Sequence, residues 1–146
     1  MSTLRPGAFK VCVQSCQNGQ ISGQVVAYRL KSPMPFRDTG SLVLSIESVL
    51  DAQNFPQAFR RSRSFVPRAV QNPYASDTLN SGMSQEEVDQ FHGTAATFLL
   101  HVFTRQSSTW QGNVVWSEGE VVPFQSVLEL IRILDEHFTA LNPTGD

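Results

Sequence analysis

Apolar and polar residues alternate along two stretches of the chain, and each stretch is followed by a turn and a second alternating stretch. Residues 9–14 alternate, Asn18-Gly19 is a strong tight-turn signal, and the extended pattern resumes over residues 21–30. The same order recurs over residues 98–116, and a short third strand is predicted at residues 121–124. Alternation with a period of two is typical of strands with one buried face, so each stretch predicts a β-hairpin.

After each hairpin the hydrophobic period changes to that of a helix. Asp38 is the predicted N-cap of the first helix, and Ser126 opens the second in a capping box with Glu129. Pro56 is expected to end the first helix, because the residue before a proline is pushed out of the helical region. The apolar stripes consist of Leu42, Ile46, Val49 and Leu50 in the first helix and of Val127, Leu130, Ile131, Leu134 and Phe138 in the second.

The second hairpin and helix resemble the first closely enough to predict an internal duplication of a β-β-(β)-α unit. The copies occupy residues 9–55 and 97–141, approximately. The offset between them is 89, then 88, then 84 residues, as in the matched positions Gly23 and Gly112, Pro35-Phe36 and Pro123-Phe124, and Val49-Leu50-Asp51 and Ile133-Leu134-Asp135. The change of offset predicts that the first helix is longer by about one turn.

These elements predict one α+β domain spanning residues 1–146, with a mainly antiparallel sheet and two helices packed on it. A partly closed β-barrel with helices is the alternative that the pattern leaves open. Residues 56–96 form an irregular insert between the copies, with a short helix expected near residues 84–91 because Ser84 and Glu87 form a capping box. An insert of this length in a compact domain is often functional.

Composition and charge exclude several classes of protein. The formal net charge of −2 gives no global attraction to nucleic acid or to anionic membranes. No apolar run is long enough to span a membrane, and no signal peptide is visible, so the expected location is cytoplasmic. Cys12 and Cys16 are expected to be reduced structural thiols. The sequence predicts neither a metal site nor a cofactor.

The sequence contains no catalytic motif, and its function is unknown from the residues alone. The leading hypothesis is a non-catalytic binding or protein-interaction module, with self-association into a homodimer as one form of it. Trp110 and Trp116 are expected to share one strand face, and with Arg105 they are the candidate interaction surface. Tryptophan and arginine are frequent anchors at the centres of protein interfaces.

Two alternatives concern the insert. A small-molecule enzyme would place its site under residues 56–96, lined by Arg60 or Arg105 with a carboxylate or His101. A weak nucleic-acid binder would use the basic segment Arg60, Arg61, Arg63 and Arg68, where Phe59 and Phe65 are interleaved. The small negative net charge disfavours nucleic acid as a partner.

The segments Thr109-Trp110-Gln111-Gly112 and Phe124-Gln125-Ser126-Val127-Leu128-Glu129-Leu130-Ile131 resemble those of a group of small uncharacterised proteins of anaerobic Gram-positive bacteria. The likeness extends over most of the chain from about residue 20. The resemblance implies an intracellular bacterial setting. That group has no assigned activity, so the resemblance implies no catalytic residue.

Overall fold

The structure, a computed structural model, describes residues 4–5, 7–59 and 72–141. Six strands form one antiparallel sheet in the order β3-β2-β1-β5-β6-β7, and a short strand, β4, pairs in parallel with the end of β5. The elements are β1 (Phe9–Gln17), β2 (Gln20–Val26), β3 (Met34–Phe36), α1 (Thr39–Gln53), β4 (Ala58–Phe59), α2 (Gln85–Asp89), β5 (Ala96–Gln106), β6 (Gln111–Trp116), β7 (Val121–Phe124) and α3 (Val127–Leu141).

The sheet is open, and three helices pack on it, which confirms the predicted α+β class. The barrel alternative is wrong for the described strands, because β3 and β7 lie at opposite edges of the sheet. The short helix expected in the insert is α2, and the predicted capping box at Ser84 is present.

The two halves of the chain meet at the centre of the sheet, where β1 pairs with β5. Lys10 lies directly opposite Leu99, the residue that the 89-residue offset assigns to Lys10 itself. When equivalent residues of two halves face each other in an antiparallel pair, a local twofold axis passes between them. The central register is therefore the one that two copies of one unit would adopt.

Both hairpins have the same register and the same irregularity. Gly23 of β2 lies opposite Val13, and Gly112 of β6 lies opposite Val102, 89 residues later. In both hairpins the register then shifts by one residue, which leaves an extra residue in β1 and in β5. Such a shift is a β-bulge, which bends a strand and redirects side chains.

The two glycines allow a close approach of main chain at these bulges. A Cβ atom at Gly23 would lie 2.0 Å from the carbonyl oxygen of Cys12, and one at Gly112 would lie 1.9 Å from that of His101. Glycine inside a strand often marks a bulge or a close approach. The group that approaches is the main chain of the paired strand.

Both long helices begin at their predicted caps. Asp38 Oδ1 accepts a hydrogen bond from Ser41 N at 2.6 Å, and Ser126 Oγ accepts one from Glu129 N at 3.0 Å. Each helix comprises 15 residues, so the expected extra turn in the first helix is wrong. The caps lie 88 residues apart, and so do the fully buried positions Leu42 and Leu130, Ile46 and Leu134, and Leu50 and Phe138.

The two faces of the sheet are covered by different parts of the chain. The long helices cover the face that carries Phe98 and Trp116, whose rings lie 6.1 and 6.0 Å from that of Phe138 in α3. On the other face, Lys10 Nζ donates a hydrogen bond to Val88 O of α2 at 3.1 Å, so part of the insert covers β1. We call these the helical face and the insert face.

Each long helix also reaches the hairpin of the other half. Arg105 at the end of β5 donates from Nη2 to Leu50 O of α1 at 3.4 Å. Cys16 at the end of β1 donates from Sγ to Phe138 O of α3 at 3.8 Å. The donors are 89 residues apart and the acceptors 88, so the two contacts are equivalent. The halves therefore share one core and cannot be separated without exposing it.

Candidate protein-interaction surface

The three residues that the sequence suggests as an interaction surface are buried in the protein's own core. Trp110, Trp116 and Arg105 are 1%, 5% and 4% exposed. Trp110 Nε1 donates to Glu47 Oε1 at 2.5 Å, and the ring of Trp116 stacks on that of His137 with centroids 3.6 Å apart. The physical reason is that these side chains point to the helical face. At these positions the structure exposes no surface for a partner.

Arg105 belongs, with Arg29, to a buried cluster at the end of α1. Arg105 donates from Nη1 to Asp51 Oδ1 at 2.6 Å and from Nε to Pro56 O at 2.7 Å, and Arg29 donates from Nη2 to Phe55 O at 2.6 Å. Burial, with a smaller contribution from the charge of Arg105, lowers the pKa of Arg29 to about 10. The last turn of α1 has no basic residue of its own. The two guanidinium groups supply the positive charge that stabilises a helix C-terminus.

The two sites expected in the insert lie partly outside the described residues. The four arginines of the basic segment lie outside the described residues (Arg60, Arg61, Arg63 and Arg68), so nucleic-acid binding through them stays a prediction. The insert is described at residues 56–59 and 72–96. Residues 72–76 contact α1, since Asn72 Nδ2 donates to Ser48 Oγ and Gln53 Nε2 donates to Ser76 O, each at 2.9 Å.

The part of the insert that covers the sheet begins at Met83, which is 5% exposed, and includes Val88, which is 1% exposed. We call residues 83–95 the ledge, because Lys10 Nζ donates to Val88 O and this part therefore lies over the first half of the insert face.

The second half of the insert face carries apolar side chains that the ledge leaves partly exposed. Val115 of β6 pairs with Leu99 of β5 on one side and with Val121 of β7 on the other. The next row of the same face contains His101 and Pro123, each paired with Asn113. We call the following six residues the sheet patch: Leu99, His101, Phe103, Val115, Val121 and Pro123.

Phe103 belongs to the sheet patch because residues two apart in a strand share a face, so it lies on the same side as Leu99 and His101. It is also the extra residue of the bulge between Val102 and Thr104. Its ring lies 4.3 Å from the ring of His101, centroid to centroid, and 47% of Phe103 is exposed. A large aromatic ring therefore lies on a solvent-facing surface beside a bulge, and bulges occur often beside functional sites.

The two halves of the insert face differ in burial at equivalent positions. The ledge covers the first half, whereas the second half is partly exposed, and Val121 at its edge is 54% exposed. Lys10, Cys12 and Val26 in the first half are 8%, 1% and 0% exposed, while their equivalents Leu99, His101 and Val115 are all partly exposed. Among the described residues, the ledge thus covers one half of this face, and the other half is partly exposed.

The sheet patch contains no carboxylate and no lysine or arginine. Its one titratable group is His101, whose pKa is lowered first by burial and then by the positive charges of Arg5 and Arg29. The neutral imidazole is the favoured form at neutral pH. The six residues of the sheet patch therefore carry no formal charge at neutral pH, as the centres of protein interfaces tend to, although the polar Asn113 lies between His101 and Pro123 and the charge of Arg5 acts on His101.

The edges of the sheet are poorly suited to a partner strand. The edge strands β3 and β7 contain three and four residues, and each has a central proline, Pro35 and Pro123. Proline has no N–H to offer to a neighbouring strand, and natural sheets use it to prevent edge-to-edge pairing. A partner is thus expected to meet the face of the sheet rather than its edge.

The helical side offers two weaker candidates. Leu44 and Leu128 are 71% and 66% exposed, but single apolar residues on a helix surface are common. A groove of about 610 Å³ is open to solvent and is lined by Asn18, Gly19, Gln20, Asp38, Thr39, Gly40, Leu128, Ile131, Arg132 and Asp135. Its Asp38 carboxylate already caps α1. Its charges are of both signs, and they do not select one kind of ligand.

The thiols and the metal-binding residue types show no sign of reactive chemistry within the described residues. Burial raises the pKa of Cys12 against a smaller opposing effect of Lys10, and burial raises the pKa of Cys16. In residues 4–5, 7–59 and 72–141, no three His, Cys, Asp or Glu side chains are grouped so that they could hold a metal ion.

No helix in the described part of the chain is long and apolar enough to cross a membrane. Comparisons with protein-family models, with curated proteins and with solved structures give no match to this chain. The resemblance to proteins of Gram-positive bacteria therefore stays a prediction.

Proposed function

We propose that this chain is a non-catalytic protein-interaction module that binds its partner on the sheet patch. The observation that carries the proposal is the unequal covering of the insert face. Where the ledge covers the first half, the equivalent positions of the second half, Leu99, His101 and Val115, are partly exposed. Adjacent apolar side chains on a solvent-facing sheet mark interaction sites more often than scattered ones do.

The comparison between halves rests on a tandem copy of one β-β-(β)-α unit, which we propose as the origin of the chain. The self-equivalent pair of Lys10 and Leu99 supports it, and so do the matching bulges. A copied unit carries the same pattern of buried positions into a new setting. Because the described part of the insert covers the first half, the second half keeps a partly exposed surface that an external group can cover.

The setting that we propose is the bacterial cytoplasm. Cys12 and Cys16 support it, since both are thiols in the structure and cytosolic proteins keep their thiols reduced. The uncharged character of the sheet patch suggests a protein partner with an apolar surface of its own, since charged partners would lose hydration there without compensation.

The experiment is a comparison of three tagged proteins used to capture partners from extracts of the source cells. Val121→Lys places a charge in the sheet patch, whereas Leu128→Lys places the same charge at an exposed leucine on the helical side. Circular dichroism should show both variants folded. Partners should be recovered by the wild type and by Leu128→Lys but be depleted with Val121→Lys. Equal recovery by all three proteins, or depletion by Leu128→Lys alone, would refute the proposal.

A further inference from the structure

We infer that the groove between the β1-β2 turn and the two long helices binds a small planar aromatic ring with an N–H group, of which indole is the simplest example. This groove is separate from the sheet patch, so its ligand and the partner on the patch are independent of each other. The charges of the groove do not select a ligand. The second half of the chain does, because its own tryptophan occupies the equivalent place.

The groove lies where the turn of the first hairpin meets α3. A Cβ atom at Gly19 would lie 3.5 Å from Asp135 Oδ1 and 3.4 Å from Thr139 Oγ1, so the turn lies directly against this helix. Gly19 and Asp135 both line the groove, whose volume is about 610 Å³. Pockets that hold small molecules have volumes of about 300–1,000 Å³. The groove thus has room for a ring system of the size of indole.

In the second half, a tryptophan side chain bridges the corresponding strand and helix. Trp110 is the counterpart of Ile21 at the strand offset of 89 residues, and Glu47 is the counterpart of Asp135 at the helix offset of 88. Trp110 Nε1 donates to Glu47 Oε1 at 2.5 Å. The same two offsets relate the strand-to-helix hydrogen bonds that tie each half to the other. The indole of Trp110 therefore indicates where a ring would lie in the first half.

The first half cannot make this contact with its own side chains at these positions. Ile21 carries no N–H group in its side chain, so it cannot donate to Asp135 as Trp110 donates to Glu47. Asp135 is exposed, whereas Glu47 is partly buried. The carboxylate that would accept the hydrogen bond thus faces the groove and the solvent.

A second contact that closes the second half also has its counterpart at the groove. Thr109 Oγ1, in the turn after β5, accepts a hydrogen bond from Val127 N at the start of α3 at 2.8 Å. The counterparts of these two residues, Gln20 and Thr39, both line the groove. The place that the turn and the tryptophan fill in the second half is therefore an open groove in the first.

An indole ring in the groove would reproduce the missing contact. Its N–H would donate to the Asp135 carboxylate, and its rings would lie beside Leu128 and Ile131, the apolar residues of the lining. A hydrogen bond to an ionised acceptor is stronger than one between neutral groups. Because the groove is open to solvent and the ring is small, the dissociation constant should be about 0.1–10 mM.

The test is an NMR titration of the full chain with indole up to about 10 mM, the weak end of the expected range. The amide signals of Gly19 and Asp135 should shift and saturate, while those of their counterparts Ser108 and Glu47 should stay unchanged. 1-Methylindole has the same rings and no N–H group. It should bind about three- to tenfold more weakly, as the loss of one hydrogen bond predicts.

Three variants locate the ring. Asp135→Ala should weaken indole binding by about three- to tenfold and remove the preference over 1-methylindole. Glu136→Ala is the matched control, because Glu136 is the exposed neighbour on the same helix and does not line the groove. It should bind indole as the wild type does. Ile21→Trp should abolish binding by filling the groove from within, provided that circular dichroism shows it folded.

N-Acetyltryptophanamide distinguishes two sources of the ring. Tighter binding of this compound than of indole would assign the groove to a tryptophan side chain of a peptide, and weaker binding would assign it to a free small molecule. Binding of neither compound would overturn the inference. Equal affinity of the wild type and Asp135→Ala for indole, or shifts centred on Ser108 and Glu47, would overturn it as well.

Discussion

Arg105 on β5 donates from Nη1 to Asp51 Oδ1 on α1 at 2.6 Å, and this ion pair joins the two halves of the chain. Arg105 is 4% exposed, whereas Asp51 is 31% exposed, so the guanidinium is the member that depends on the pair for its polar contacts. The same side chain also donates to the main-chain oxygens of Pro56 and Leu50. Arg105, which the sequence suggests for partner binding, thus links the two halves of the protein instead.

Replacing Arg105 by methionine should destabilise the fold. The buried oxygen of Pro56 loses the Arg105 donor, whereas Leu50 O keeps the main-chain N–H of Phe55, and the free energy of unfolding should fall by about 1–3 kcal/mol. Asp51 keeps access to water, which limits the loss. Urea unfolding measures the effect, with Arg132→Met as the control because Arg132 is exposed on α3. Similar unfolding midpoints for the two variants would contradict the assigned role of Arg105.

The two strand glycines should respond alike to substitution, although they lie 89 residues apart. Gly23→Ala and Gly112→Ala each force a methyl group into a main-chain carbonyl at about the same distance. Each should lower the free energy of unfolding by about 2 kcal/mol or more. Gly40→Ala is the matched control, since its methyl group would meet nothing closer than Asp38 Oδ1 at 3.5 Å. The free energy of unfolding of Gly40→Ala should stay unchanged or rise by up to about 1 kcal/mol, because alanine has a higher helix propensity than glycine.

Stability should depend on pH through His101. Its pKa in the folded protein lies below the ordinary value of 6.5, so the unfolded chain takes up the proton first as the pH falls. The free energy of unfolding should therefore decrease as the pH falls from 6.5 through the lower pKa of the folded state. Urea unfolding at a series of pH values should show this loss in the wild type. His101→Gln should remove it, and an unchanged pH dependence in that variant would refute the assignment.

Arg5 offers a second measurement on the same group. Its positive charge is the second cause, after burial, of the lowered pKa of His101. Arg5→Gln should raise the pKa of His101, read directly from an NMR titration of the imidazole signals. Arg37→Gln is a suitable control, because Arg37 is an exposed arginine near the start of α1 and is not among the charges that lower this pKa. A titration curve unaffected by Arg5→Gln would mean that the charge of Arg5 does not contribute to the lowered pKa of His101.

The sequence predicts the elements well, because each is coded locally. Alternation at residues 9–14 and 98–102 marks strands, and the capping residues Asp38 and Ser84 mark helix starts that the structure confirms. The offset between the two long helices is harder to determine from the sequence. Apolar residues recur every three or four positions, so a shift of four residues superposes one buried stripe on another. Only the burial of these positions in the structure distinguishes an offset of 88 from one of 84.

The sequence cannot say which layer covers which face of a strand. Trp116 and Val115 are both apolar, and alternation alone does not show that Trp116 lies under a helix while Val115 is partly exposed. A signal for the sheet patch is present, however. Leu99, Val115 and Val121 are apolar at positions where alternation around a single buried face calls for polar residues. Strands that are apolar on both faces predict a cover on each side.

The most direct test of the account is the solvent exposure of methyl groups, measured by NMR with a soluble paramagnetic agent on the free protein and on the protein bound to a captured partner. We predict that the methyl groups of Leu99, Val115 and Val121 are accessible to the agent in the free protein and become shielded when the partner binds, while those of Leu44 and Leu128 stay exposed in both states. Shielding of the two helical leucines instead, or unchanged exposure of the sheet patch in the complex, would contradict the account.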